Sequence, residues 1–203
     1  VYPMNAPKQI ILLQARIHSV TLDDIKTYIT QSLKSRKKIV LFPMNIHILV
    51  ELAKRPTFKQ IHESLASIIF CDSVLLVWFS KIFGLPLPQR VSGTDLAASI
   101  LIDRSRIFLL GSSKLVLVRM QKKYPSICGT YSPPYAGTWS KTESAKIINL
   151  ISRAKTQILL VGVGPLKQEQ WIVDHFTKTG VLLAVAVGSA FDILSGVKPR
   201  API

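Results

Sequence analysis

The chain has 203 residues, 48% of them hydrophobic, and a formal charge of +15 from 26 lysines and arginines against 11 aspartates and glutamates. That hydrophobic content excludes a disordered polymer and supplies one sizeable core. The positive excess favours polyanionic partners: nucleic acid, an anionic membrane face or phosphorylated substrates.

Taken in order, the chain alternates strand and helix signals. Ile10–Ile17 reads as a strand, and Thr21 then caps a helix whose Asp23 and Asp24 suit its positive end. Leu22, Ile25, Tyr28, Ile29 and Leu33 share one face of that helix, which closes in the basic run Lys34–Lys38. Charge of that sign is favourable at a helix C-terminus, and this is the preferred reading of the run over a phosphate site. A strand over Ile39–Phe42 breaks at Pro43, and helices over Ile46–Lys54 and Pro56–Ala66 follow. Next come a strand over Ser67–Cys71, Asp72, and the segment V-L-L-V-W-F-S-K-I-F, apolar almost all round. Such a helix is either deeply buried or has a face against lipid or a partner.

L-P-L-P-Q-R-V-S-G-T-D-L reads as a rigid loop leading into a helix from Thr94. Strand Arg106–Leu110, helix Lys114–Tyr124, a short strand Ser126–Cys128 and the P-P-Y-A-G loop precede a helix over Thr142–Lys155. Ile158–Trp171, I-L-L-V-G-V-G-P-L-K-Q-E-Q-W, then combines a buried strand, a turn at Gly162, Gly164 and Pro165, and a helix start that either offers Gln168 and Glu169 to a ligand or is the plain strand-to-helix turn of many α/β proteins. A strand over Leu182–Val187 and G-S-A-F-D-I-L-S-G complete the pattern. The order of units argues for an α/β fold, a single mostly parallel sheet covered by helices on both faces.

Cys71 and Cys128 have no metal-ligand spacing, and His18, His47, His62 and His175 form no H-x-x-x-H pair, so a reducing compartment and structural histidines are expected. No window reaches the ~18–20 uninterrupted apolar residues of a membrane span. The initial V-Y-P-M-N-A-P lacks the pattern of a signal peptide.

Polar residues fall at the carboxyl ends of predicted strands: Asn45, Asp72, Gln168–Glu169, and Ser189 to Asp192. In a parallel sheet those ends share one edge and line one crevice. Asp72, beside an apolar helix, suits a general base, although an Asp in that place is more often an ordinary helix N-cap. Arg90, in a proline-stiffened loop, suits a bidentate grip on phosphate or a surface salt bridge.

L-P-L-P-Q-R-V-S-G-T-D-L, F-L-L-G, Y-P-S-I, V-G-V-G-P-L-K-Q-E-Q-W and V-G-S-A-F-D-I-L-S-G with R-A-P, in this order, resemble the WecG/TagA/CpsF glycosyltransferases from Ile10 to Pro202. The resemblance implies a single Rossmann-like core domain over residues 1–203. It also implies an inverting enzyme that moves a sugar, N-acetylmannosamine or a relative, from a UDP-sugar donor to a polyprenyl-diphosphate-linked acceptor. Members build teichoic acid linkage units, enterobacterial common antigen, capsules and exopolysaccharides. The setting implied is cytoplasmic and peripheral, on the anionic inner face of the cell membrane, and self-association is consistent with it.

By the same resemblance Asp72 matches the proposed base and Asn45 a substrate-placing residue. Arg90 matches the arginine of P-x-R-V-x-G-x-D-L, and Gln168 the glutamine of P-K-Q-E. Tyr135, Gly164, Gln168 and Asp192 fall near the nucleotide. No cofactor and no metal are implied, so arginines and helix N-termini would neutralise the leaving diphosphate.

The sequence departs from the family at Pro43, where Thr is common, and at Ser73, which replaces Gly and is expected to crowd the turn. It also ends at R-A-P-I, where members continue into an arginine-rich membrane-targeting tail, and a core lacking that tail is expected to bind nucleotide but turn over poorly. Two rival readings exist. A basic nucleic-acid-binding module lacks any RRM, KH or zinc-finger signature. A dinucleotide-dependent oxidoreductase lacks G-x-G-x-x-G after its first strand.

Overall fold

The computed structural model describes residues 7–65 and 68–200. The expected helix and strand ends at Ala66 and Ser67, the first six residues, and the Ala201–Pro202 part of the closing motif lie outside the described residues. The chain opens with an antiparallel hairpin, β1 (Gln9–Leu12) and β2 (Ala15–His18), where one strand over Ile10–Ile17 is expected. Leu13 and Gln14 make the turn with φ of 48° and 64°. Neither residue carries the Asn or Gly signature of such a turn, which is why the pattern reads as continuous.

There follow α1 (Leu22–Lys34), β3 (Ile39–Met44), α2 (Ile46–Lys54), α3 (Pro56–Leu65), β4 (Ile68–Cys71), α4 (Val74–Ile82), α5 (Gly93–Leu101), β5 (Ile107–Gly111) and α6 (Lys114–Lys123). The remaining elements are β6 (Ile127–Tyr131), α7 (Lys141–Arg153), β7 (Ile158–Gly162), α8 (Lys167–Thr179), β8 (Leu183–Ala186) and α9 (Ala190–Leu194). Strands β3 to β8 form one parallel sheet in the order β4-β3-β8-β7-β5-β6.

The strands are near-continuous aliphatic runs because helices cover both faces, and their alternate residues feed two separate cores. Val40, Phe42, Phe108, Leu110, Leu159 and Val161 pack with the hairpin, α2, α3, α7 and α8. Ile39, Leu41, Ile107, Leu109, Ile158 and Leu160 pack with α1, α5, α6 and α9. This is the α/β, Rossmann-like architecture the sequence predicts.

β3 runs through Pro43 to Met44 rather than breaking there. Its pairing with β8 ends at Leu41, whereas pairing with β4 continues to Met44. The Ile39 N–H points to the β8 side, donating to Leu182 O at 2.8 Å, and Pro43 has the same parity. Its missing N–H therefore falls where no strand lies opposite, as a proline in a strand requires.

The outer edge of β4 is covered by the hairpin: the Ile69 N–H donates to His18 Nδ1 at 2.9 Å. Burial, with the Arg16 charge adding to it, lowers His18 to about 4 and keeps the imidazole neutral, the form that can accept. At α1 the expected cap is present and reciprocal, with Thr21 Oγ1 accepting from Asp24 N–H and Asp24 Oδ2 from Thr21 N–H.

The chain builds β3 and β4 toward one edge, crosses to β5 and β6 at the other, and fills the centre with β7 and β8. The carboxyl ends of β3, β8, β7 and β5 thus open on a common crevice.

Candidate active site

That crevice is a cleft of about 1090 Å³, at the upper end of small-molecule sites and roomy enough for a nucleotide sugar. Asn45, Asp72, Arg90, Tyr135, Gly164, Gln168 and Asp192 all line it. They arrive from the turns after β3, β4, β7 and β8 and from the loops before α5 and α7.

Asp72 leaves the end of β4 with its N–H on Met44 O at 2.8 Å. Its Oδ1 accepts from Arg90 Nε at 2.9 Å and its Oδ2 from the Gly93 N–H at 3.0 Å. It does not cap the helix that follows. Ser73 does, its Oγ accepting from the Leu76 N–H at 3.3 Å. Ser73 is also extended, with φ of −155°, a conformation open to any residue, so the expected crowding does not arise. A carboxylate has about four acceptor sites; two are occupied, and its side chain is 20% exposed. Asp72 is thus fixed in direction with capacity left to accept a proton.

Arg90 reaches it from a loop anchored on either side. The Leu87 N–H donates to Ser80 Oγ at 2.9 Å, and the Val91 N–H to Cys71 O at 2.7 Å. The Nε bond uses one of five guanidinium donors. Asn45 is the N-cap of α2, its Oδ1 accepting from the Ile48 N–H at 3.0 Å, so its amide NH₂ is the group it can offer a ligand.

At the β7–α8 turn, Gly164 takes φ of 95°, a conformation that favours glycine. At the start of α8 the expectation that Gln168 and Glu169 face a ligand divides: Gln168 reaches the cleft lining with its amide already committed. Gln168 is 1% exposed, and its Oε1 accepts from the Gly188 N–H at 3.0 Å while its Nε2 donates to Glu169 Oε1 at 2.8 Å. Glu169 is fully buried and does not line the cleft. The pair ties α8 to the loop after β8. Helical spacing already joins Gln168 to the buried Ile172 and Phe176 at i+4 and i+8, the signal that should have marked this face as interior.

Burial pushes Glu169 up from 4.5 to about 7, tempered by the Gln168 amide and by the N–H groups of Glu169 and Leu166. The folded protein therefore holds a proton that the unfolded chain has released between about pH 4.5 and 7. This contribution to stability is full below that window and is lost as pH rises through it. Glu169→Gln stays neutral and keeps the Oε1 acceptor. Its stability relative to the parent should rise by on the order of a few kcal/mol between about pH 5 and 8. Urea midpoints at both pH values measure this, and a pH-independent difference would show that Glu169 titrates normally.

Several lining groups were not singled out from the sequence. Ser112 Oγ donates to Asp192 Oδ1 at 2.8 Å, and Lys198 Nζ lies 3.2 Å from Asp192 Oδ2. Ser132 Oγ donates to Ser112 O at 2.7 Å. Lys167 donates to Ala136 O and stands 4.1 Å over the Trp139 ring, latching the loop that carries the exposed Tyr135 to α8. Ser112 follows a strand as Asp72 does, so the same strand-end rule would have found it.

Gly111 and Gly162 are paired at the tips of β5 and β7. A Cβ on Gly111 would stand 2.4 Å from Gly162 O, and one on Gly162 would stand 2.7 Å from Gly188 O. Three backbones converge beneath the cleft at a separation only glycine permits. Among the described residues no group of three or more His, Cys, Asp or Glu side chains could hold a metal ion.

A carboxylate fixed at a strand end, facing a nucleotide-sized cleft at the switch point of a parallel sheet, is an arrangement common to α/β enzymes that bind nucleotides. The chain matches the Glycosyl transferase WecG/TagA/CpsF family over residues 10–203 and belongs to it. It is 25% identical, over 89% of its own length and 72% of the relative's, to an N-acetylglucosaminyldiphosphoundecaprenol N-acetyl-beta-D-mannosaminyltransferase of Staphylococcus aureus (strain NCTC 8325 / PS 47). A Bacillus spizizenii protein of the same name is 28% identical over 85% of this chain and 68% of its own. Neither rival reading, nucleic-acid module or oxidoreductase, gains support from the family.

Proposed function

We propose that the protein is an inverting glycosyltransferase that moves N-acetylmannosamine, or a close relative, from a UDP-sugar to a polyprenyl-diphosphate-linked sugar. The observation that carries this reading is the single cleft in which Asp72, its partner Arg90, and the polar turns after β5, β7 and β8 meet. In the reaction an acceptor hydroxyl attacks the anomeric carbon and Asp72 takes the hydroxyl proton. The bond to UDP breaks on the opposite face, which inverts the centre.

Arg90 orients Asp72 and is placed to meet a phosphate with its remaining donors. Asn45 holds substrate through its amide NH₂. Tyr135, Gly164 and Asp192 surround the nucleotide, and Gln168 acts there by holding the Gly188 loop. Charge on the leaving diphosphate is offset by Arg90, Lys167 and Lys198 rather than by a cofactor.

A lipid-linked acceptor sets the reaction at a membrane surface, and a net charge of +15 suits the anionic cytoplasmic leaflet. Among the described residues no helix is long and apolar enough to cross a membrane, so the contact we propose is peripheral. UDP should raise the melting temperature of the protein by mass action, and a UDP-sugar screen should name the donor. A melting temperature unmoved by UDP or any UDP-sugar, but raised by NAD(P) or an oligonucleotide, would overturn the reading.

A further inference from the structure

Helix α4 begins two residues after Asp72 and leaves most of its apolar surface uncovered. Val74, Leu75, Trp78 and Ile82 are 54–63% exposed, and at 3.6 residues per turn they share an arc of about 100°. Leu76 and Ser80, on the opposite side, are buried. Phe83 and Leu85 extend the exposed patch past the helix end. Contiguous apolar surface of this kind marks an interaction site.

The charges around it choose the occupant. Lys81 flanks the arc and no Asp or Glu occurs between Ser73 and Thr94, while Asp72 and Asp95 on either side are paired with Arg90 and Arg200. A second copy would set Lys81, and two chains of +15 each, against their like. An anionic bilayer attracts them. The composition of the face, with tryptophan and phenylalanine among aliphatics beside lysine, is that of a helix lying in a membrane interface.

We propose that the α4 face, continued by Phe83 and Leu85, rests in the headgroup region of an anionic bilayer. It would hold the mouth of the cleft, where Asp72 sits, at the depth of a lipid-linked diphosphate. The position is geometric: two residues reach at most ~7 Å and the helix is ~13 Å long, so the patch borders the reacting end of the cleft. The inference rests on the lipid-linked acceptor proposed above and names the surface that meets the lipid.

The test is co-sedimentation with phosphatidylglycerol vesicles, phosphatidylcholine vesicles serving as the uncharged control. The unsubstituted protein should be retained by the anionic vesicles and released as salt rises. The double variant Trp78→Glu, Ile82→Glu should lose at least about tenfold in vesicle partitioning, since each large side chain buried in an apolar phase is worth roughly a factor of ten. Its UDP affinity and melting temperature should stay close to those of the parent, because both side chains are exposed. Undiminished retention of the variant would overturn the proposal. So would a parent that ignores vesicles but self-associates through this face, seen as a dimer by sedimentation velocity that the variant abolishes. Vesicle retention that depends on Trp78 and Ile82, in a protein that binds no UDP, would support the membrane face and overturn the reading of the cleft instead.

Discussion

Asp72→Asn is expected to lower turnover by about 10²–10⁴-fold, the range for loss of a general base, with UDP affinity little changed. The carboxylate accepts from Arg90 Nε and the Gly93 N–H, and the helix α4 relies on Ser73, not Asp72, for its cap. Asparagine can keep one of the two bonds, but its NH₂ must face the other donor. A stability loss of about 1 kcal/mol follows from that lost bond, too small to explain a collapse of activity. Steady-state transfer rates and UDP binding, measured on the same preparation, separate the two contributions. Near-full turnover in the variant would make Asp72 an anchor for the Arg90 loop only and move the base elsewhere. Proportional loss of UDP affinity and rate would indicate that the carboxylate organises the nucleotide site.

Gly162→Ala should be among the more damaging single methyl additions at the cleft. The added carbon would lie 2.7 Å from Gly188 O and 2.9 Å from the Phe191 ring. The first is backbone and the second is wholly buried, so neither can yield without displacing the loop that Gln168 holds. Overpacking at such a site costs about 2–4 kcal/mol, a fall in melting temperature of roughly 5–15 °C for a chain of this size. Donor affinity should fall with it, since Gly188 and Ser189 line the same cleft. Gly137→Ala is the control, because a Cβ there meets nothing within 4 Å. Equal melting temperatures for the two variants would mean that the tips of β7 and β8 are not as tightly opposed as described.

The sheet was legible in the sequence because strands buried on both faces must be continuous aliphatic runs, and Ile39–Phe42, Ile158–Val161 and Leu183–Ala186 are such runs. The hairpin at Leu13–Gln14 was not, since its residues adopt positive φ without the glycine or asparagine that normally announces it. Pro43 misled for a related reason: a proline breaks a ladder only where a neighbour needs its N–H, and sequence does not say where β8 stops. The residues of the cleft could be named from strand ends and family motifs, but what their atoms do depends on packing. Asp72 reads as a cap or a base; in the fold Ser73 caps α4 instead, and each Asp72 oxygen accepts one bond, from Arg90 or from Gly93. Gln168 and Glu169 look like ligand groups in a first helical turn, yet packing with Ile172 and Phe176 buries Glu169 and leaves Gln168 at the cleft with its amide holding the Gly188 loop. The apolar segment after Asp72 left burial or a partner-facing surface open, and three-dimensional structure divides it, burying Leu76 and Ser80 and exposing Trp78 and Ile82.

The most direct measurement is transfer itself. The protein, mixed with UDP-N-acetylmannosamine and a polyprenyl-diphosphate-linked N-acetylglucosamine in anionic vesicles, should release UDP and form one lipid-linked disaccharide with the anomeric configuration opposite to that of the donor, as resolved by NMR. A product that retains the donor's configuration would contradict the single displacement assigned to Asp72. If the folded protein supports no transfer and binds neither UDP nor any UDP-sugar, the cleft is not a donor site.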